Sequence, residues 1–262
     1  MTTDTSPAQT VARTFVEARQ AGRAVATYPG NRPETLDEAY DIQAAAIALH
    51  GGTIAGWKVG RIPHPLSERY DANRLAGPIF ADKVVEGGDG SPTMPVFADG
   101  FAAAEAEFLL QIASLPEGSG PLTNEEAAAH IGEIRVGIEV ASSPYAGINT
   151  DGPAVTVSDF GNNNGLVLGA VIPRETALLD WPVRLLIDGE EAGAATAAAM
   201  LDGPFGAARF LFELAARRGL PLAHGQWIST GAVTGVHEVA VGAVVDAQFD
   251  TDHVVRCKIS AA

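Results

Sequence analysis

Two hydrophobic periodicities divide the chain. Over the first fifth, apolar residues recur every three to four positions, as Val11, Phe15 and Ala18 and again as Ala39, Ile42, Ala46 and Leu49. That is the spacing of one helix face. Ser6-Pro7 supplies an N-cap and a first-turn proline for the first helix, which should stop before Gly22. Thr35-Leu36-Asp37-Glu38 is a capping box for the second, which should end at Gly51-Gly52. From Ile54 onward the pattern shortens to apolar runs broken by Gly, Pro, Asn and Asp, which predicts strands at 54–59, 79–85, 104–112, 134–140, 166–171, 183–187, 226–230, 239–249 and 254–259. Two helices interrupt them, one after the capping box Thr123-Asn124-Glu125-Glu126 and one from Pro204 to Gly219. Strict strand–helix alternation is absent, so the expectation is an α+β fold with a mostly β core rather than a Rossmann or TIM barrel arrangement. A mainly helical region, residues 1–75, then leads into a β region, residues 76–262, as one continuous unit. Gly87–Pro95 reads as a loop.

Composition narrows the function. Lys+Arg 17 against Asp+Glu 32 gives a net charge of −15, which argues against a nucleic-acid partner. A hydrophobic share of 47% with 19% charged residues fills a sizeable core and excludes disorder. No stretch approaches the roughly 20 apolar residues of a membrane span, and Met1-Thr2-Thr3-Asp4 lacks the layout of a signal peptide. The expectation is a soluble, cytoplasmic protein with no membrane partner. The single cysteine, Cys257, has no disulfide partner and no adjacent His, and reads as a packing thiol.

Four features carry candidate chemistry. In Ala104-Glu105-Ala106-Glu107-Phe108 two carboxylates share one face of an apolar strand. Their repulsion is relieved if a hard divalent cation lies between them. Glu139, inside the apolar run Ile134–Val140, is a candidate third ligand. The alternative is that Glu105 and Glu107 line a solvated edge and Glu139 pairs with Arg135. In Gly56-Trp57-Lys58-Val59-Gly60 the lysine either meets a ligand or guards a sheet edge. The run Ser158–Gly165 reads as a polar turn, and the amides of Gln226–Gly235 could line a carboxylate pocket. The six histidines show no metal-ligand spacing, and no serine-hydrolase or nucleotide-binding motif is present.

In order and spacing, these segments resemble the 2-keto-4-pentenoate hydratase / 4-oxalocrotonate decarboxylase branch of the fumarylacetoacetate hydrolase superfamily. The resemblance rests on Ala39–Gln43, Gly56–Gly60, Glu105-Ala106-Glu107, Gly137–Val140, Asp159–Gly169, Gly203-Pro204-Phe205 and Trp227–Gly235. It implies a mixed β core of roll or barrel form, with N-terminal helices and a C-terminal helix packed outside. It implies Glu105, Glu107 and Glu139 as ligands of Mg²⁺ or Mn²⁺, Lys58 and Asn162 as catalytic residues, and Lys58, Asp159, Thr230 and Gly231 as contacts of a small anionic 2-oxo acid. The implied activity is a hydratase (a lyase) adding water to a 2-hydroxy-2,4-dienoate in aromatic meta-cleavage catabolism, in a homo-oligomer. Decarboxylation of an oxalocrotonate-like diacid and C–C hydrolysis of an acylpyruvate are the sister readings, and a relative that binds metal and ligand without turnover is a third. The chain departs from the family pattern at Asp159-Phe160-Gly161-Asn162, where an amide replaces a hydroxyl, and at Ala141-Ser142-Ser143-Pro144, which lacks an arginine. It also lacks an acidic residue beside Leu75-Ala76-Gly77-Pro78, for which Asp82 is the candidate substitute.

Overall fold

The computed structural model describes residues 6–88, 90–174 and 177–262. Met1-Thr2-Thr3-Asp4, and Asp89 of the loop expected at Gly87–Pro95, lie outside them. The chain opens with α1 (Pro7–Gln20) and α2 (Leu36–His50). It continues through β1 (Ile54–Arg61), α3 (Leu66–Arg69), β2 (Arg74–Phe80), β3 (Val84–Glu86), β4 (Thr93–Val96), β5 (Phe101–Ile112), α4 (Asn124–Ala129), β6 (Ile131–Ser143), α5 (Pro153–Ser158) and β7 (Asn163–Ile172). After β8 (Pro182–Ile187) and β9 (Glu190–Thr196) come α6 (Gly203–Arg218), β10 (Trp227–Ser229), β11 (His237–Glu238), β12 (Val244–Phe249) and β13 (His253–Ala261).

Local chemistry sets the helix ends. Ser6, Thr35 and Thr123 each accept from the backbone N–H three residues on, and Gln9, Glu38 and Glu126 return the bond. Gly51 and Gly219 close α2 and α6 in the left-handed conformation that glycine adopts without steric cost. On α2 the buried face runs through Ala39, Tyr40, Ile42, Gln43 and Ala46, while Leu49 is exposed. Gln43 earns its burial by donating to the carbonyls of Ala76 at 3.1 Å and Val157 at 2.9 Å, tying α2 to β2 and α5.

The strands form two sheets. The first runs β2-β1-β10-β5-β6-β7-β3, with β11 added to β5, and the second runs β4-β13-β12-β8-β9. Between them lies one apolar core, from Ala106 and Phe108 of β5 and Val136 and Ile138 of β6 to Val245 and Phe249 of β12 and Val255 of β13. Strand alternation therefore sends Lys58, Glu105, Glu107 and Glu139 to the other face of the first sheet. A second cluster, with Phe15, Ile42, Val155 and Phe160, packs α1, α2 and α5 together beyond that face. The boundary expected at residue 75 falls inside β2, so both sequence regions share one sheet. No helix among the described residues is long and apolar enough to cross a membrane.

Several expected elements are displaced. The strand expected at 79–85 begins instead at Arg74 and ends at Phe80, and a tight turn at Ala81–Lys83 separates it from β3. Pro78 is accommodated because β2 is an edge strand, where a missing N–H is tolerated. The run 239–249 is a strand only from Val244, because Gly242 at φ 96° turns the chain first. Strand β9, rich in Glu and Ala, has no strand signature of its own and is held by pairing with β8. The opposite failure is α5, Pro-Ala-Val-Thr-Val-Ser, which is helical despite its β-branched residues and is buried throughout.

Cys257 lies in the core at 0% exposure, and burial, reinforced by Asp246, pushes its thiol up to about 12. The folded protein is expected to leave Cys257 unmodified by a thiol reagent at pH 8, with one equivalent reacting only in denaturant. Rapid labelling of the native protein would contradict the packing.

Candidate metal centre

Three strands converge on one buried cluster. Glu105 and Glu107 project from β5, and the antiparallel register of β5 with β6 sets Glu139 directly opposite Glu105 and Gly137 opposite Glu107. Lys58 arrives from β1, which is an interior strand flanked by β2 and β10, so the edge-lysine reading does not describe it. The three carboxylates are 4%, 0% and 0% exposed, which replaces the solvated-edge alternative. Arg135, the other partner considered for Glu139, instead binds Glu133 and Glu86.

One oxygen from each carboxylate lies within 4.8 Å of those of the other two. Among the described residues, the cation beside the cluster is Lys58, whose Nζ sits 3.2 Å from Glu139 Oε2. This is an ion pair without good hydrogen-bond aim, since Oε2 has no well-directed donor. Glu139 Oε1 accepts from Asn163 Nδ2 at 2.8 Å. Glu107 Oε2 accepts from the Ser229 hydroxyl and, at 3.0 Å, from the Gly231 amide, while its Oε1 is buried without a partner. Burial, and then the neighbouring carboxylates, hold Glu107 well above the usual carboxylate range. Burial raises Glu139 as well, against the pull of Lys58. For Lys58, burial alone would favour the neutral amine, but the attraction of Glu139, Glu105 and Glu107 outweighs it and the ammonium is held charged. Three hard oxygen donors, two of them with a buried oxygen that accepts no hydrogen bond, suit a divalent cation such as Mg²⁺ or Mn²⁺.

A cavity of about 680 Å³ opens from this cluster, lined by Lys58, Glu105, Asn162, Thr230 and Gly231 among others. The turn carrying Asn162 is strained: Phe160, Gly161 and Asn162 have φ of 55°, 62° and 67°. It packs so tightly on β2 that a Cβ at Gly77 would lie 2.1 Å from the Phe160 carbonyl oxygen. Asn162 is 2% exposed, donates weakly to Asn149 Oδ1 at 3.4 Å, and leaves its Oδ1 buried without a partner.

No protein-family model matches the chain, and no curated protein matches it by sequence. Solved structures do. The 4-oxalocrotonate decarboxylase of Pseudomonas putida, complexed with magnesium and adipate, is 20% identical with a TM-score of 0.80 over 96% of this chain and 97% of that one. The chain has the fold of the fumarylacetoacetate hydrolase superfamily. At lower similarity the same fold appears in fumarylpyruvate hydrolase from Pseudomonas aeruginosa in complex with Mn²⁺ and pyruvate, 16% identical with a TM-score of 0.55 over 79% of this chain and 89% of that one. It appears also in 2-hydroxyhepta-2,4-diene-1,7-dioate isomerase from Mycobacterium marinum, 17% identical with a TM-score of 0.57 over 80% and 76% of the two chains.

On this fold several sequence-level roles move. Asp159 is 1% exposed and does not line the cavity: Arg19 binds both its oxygens, at 2.6 and 2.8 Å, and the Ser143 hydroxyl donates to it at 2.6 Å. It anchors the strained turn to α1. The polar run 158–164 is accordingly buried, not a surface turn. Thr230 lines the cavity but gives its hydroxyl hydrogen to the Phe108 carbonyl at 2.8 Å, and the Gly231 amide serves Glu107 rather than an open anion pocket. Asp82 is exposed beside Lys83 and does not join the cluster. Asn163 and Arg19 carry no sequence signal that marks them as site residues. Ser229 alone had a signal, a hydroxyl on the same strand face as Trp227.

Because three like charges are packed out of water, Glu107→Gln is expected to stabilise the metal-free protein by about 1–3 kcal/mol, a rise of several degrees in melting temperature. The amide oxygen can still accept from Ser229 and Gly231. The same variant should lose the further stabilisation that millimolar Mg²⁺ confers on the unsubstituted protein. A destabilised variant that still responds to Mg²⁺ would contradict this electrostatic account.

Proposed function

We propose that this protein is a divalent-metal-dependent enzyme of the fumarylacetoacetate hydrolase superfamily, acting on a small 2-oxo or 2-hydroxydienoic acid. The observation that supports it is the buried Glu105, Glu107 and Glu139 set opening into a cavity beside a charged lysine. When bound there, Mg²⁺ or Mn²⁺ supplies a Lewis acid for the carboxylate and keto oxygens of such an acid, of the kind that favours proton movement at the adjacent carbon. The chain's own residues do the rest. Ser229 and the Gly231 amide fix Glu107, and Asn163 fixes Glu139, so the donor set is preorganised. Lys58 attracts the anionic substrate into a chain of net charge −15 and stands where it can hand a proton to or from the substrate. The unpartnered Asn162 Oδ1 accepts a hydrogen bond from a substrate hydroxyl or an attacking water.

Hydration of a 2-hydroxy-2,4-dienoate, a lyase reaction, is the activity the sequence resemblance supports. The second reading, loss of carbon dioxide from an oxalocrotonate-like diacid, is favoured by the near-complete overlap with the decarboxylase fold. C–C hydrolysis has less behind it, since among the described residues no histidine lines the cavity. Homo-oligomerisation rests on the resemblance alone, because the apolar faces of α1 and α2 are covered within the chain; a monomer by light scattering would remove it.

Proton exchange separates an enzyme from a binding relative. With Mg²⁺ in D₂O, the protein should speed loss of the carbon-3 proton signals of 2-oxopentanoate in NMR, and Lys58→Met should slow this by about 10²-fold or more. Metal-dependent binding without exchange would favour the non-catalytic reading. Absorbance loss from 2-hydroxypenta-2,4-dienoate against carbon dioxide release from 4-oxalocrotonate then chooses between the two lyase reactions.

A further inference from the structure

The cavity has a second cationic end that Lys58 does not explain. Arg61 closes β1 and lies directly across from Arg74, the first residue of β2, in their antiparallel register. Two like charges opposite one another in a strand pair repel. Arg74 is 5% exposed, and among its five N–H donors one bonds to the Leu201 carbonyl. Its carboxylate neighbour, Asp202, stands 3.6 Å away, too far for a hydrogen bond, and is shared with Arg209 at 2.9 Å. Arg61 is exposed at the cavity mouth, and no hydrogen bond or ion pair engages its side chain among the described residues. Arg74 and Arg209 thus share one carboxylate, and Arg61, across from Arg74, adds a further guanidinium. This local excess of positive charge stands in a chain of net charge −15, and it borders the same cavity as Lys58 and Glu105.

The spacing suits one elongated ligand. Alternation turns Arg61 away from the Lys58 face, but Arg61 ends β1 and lines the same cavity as Lys58, their backbones about 10 Å apart along the strand. Leu75, Ile62 and Leu66 line the space with apolar surface, which suits a hydrocarbon chain between two anionic ends. We infer that the cavity is built for a 2-oxo dicarboxylic acid, whose reacting end lies at the glutamate cluster and whose distal carboxylate is received by Arg61 and Arg74. A guanidinium fork matches a carboxylate in shape as well as charge, and the buried Arg74 supplies it where water does not compete. This inference rests on the 2-oxo acid reading of the glutamate end.

Calorimetry in Mg²⁺ with three probes keeps the two claims apart. Oxalate reports the glutamate end alone, while 2-oxoadipate and 2-oxohexanoate share a six-carbon length and differ in the distal carboxylate. The protein should bind 2-oxoadipate about ten- to a hundred-fold more tightly than 2-oxohexanoate, the worth of one or two charge-assisted hydrogen bonds. Arg74→Gln and Arg61→Gln should each lower that ratio, and together bring it near one. Arg61 is exposed, so its variant carries the test even if the Arg74 variant does not fold. Oxalate binding with no preference for the diacid, or a preference that survives Arg61→Gln undiminished, overturns the inference and leaves the 2-oxo acid reading standing. Failure of oxalate to bind overturns both.

Discussion

Three carboxylates share one buried site with a single ammonium, and the rest of the structure is arranged around that imbalance. Glu105 and Glu139 are direct cross-strand partners, a pairing that repels in any antiparallel sheet and repels more where water is excluded. Lys58 offsets one charge and leaves two. A chain under selection for stability alone would place alanine or valine here, as it does at Ala106 and Ile138 on the other face of the same strands. Retaining the charges is what a site does when a cation completes it, and the stability given up is supplied by the packed core behind it.

The two faces of the first sheet divide these tasks. Alternation puts Ala106 and Phe108 against the second sheet and Glu105 and Glu107 against the cavity, so each strand carries core and chemistry at once. Rigidity at the site comes from neighbours that spend their own hydrogen bonds on the carboxylates: Ser229 and Gly231 on Glu107, Asn163 on Glu139. Behind Asn163 stands Arg19, which bonds the Asn163 carbonyl at 3.1 Å and clamps Asp159, joining α1 to the strained turn that presents Asn162. The N-terminal helix is therefore part of the site's support.

How much of this was legible in the sequence depended on the range of the interaction. Capping boxes at Thr35 and Thr123 and the glycines at 51 and 219 are local, and they set helix ends within a residue of where they lie. Alternation placed Glu105 and Glu107 on one face for the same reason. That Lys58 is interior was not legible, because β1 becomes an interior strand only by pairing with β10, some 170 residues away in sequence (Lys58 opposite Ser229). Equally non-local are the facing of Glu105 and Glu139 and the capture of Asp159 by Arg19. Composition misled where burial reversed its usual meaning, as in the polar run 158–164, whose side chains are satisfied internally rather than by water.

Diffraction from crystals soaked in Mn²⁺, with anomalous differences collected at the manganese edge, tests the central claim most directly. The account predicts one dominant peak coordinated by an oxygen from each of Glu105, Glu107 and Glu139, with Lys58 displaced from Glu139 or turned toward the cavity. An anomalous map with no peak among these carboxylates, and Lys58 unmoved beside Glu139, would contradict it.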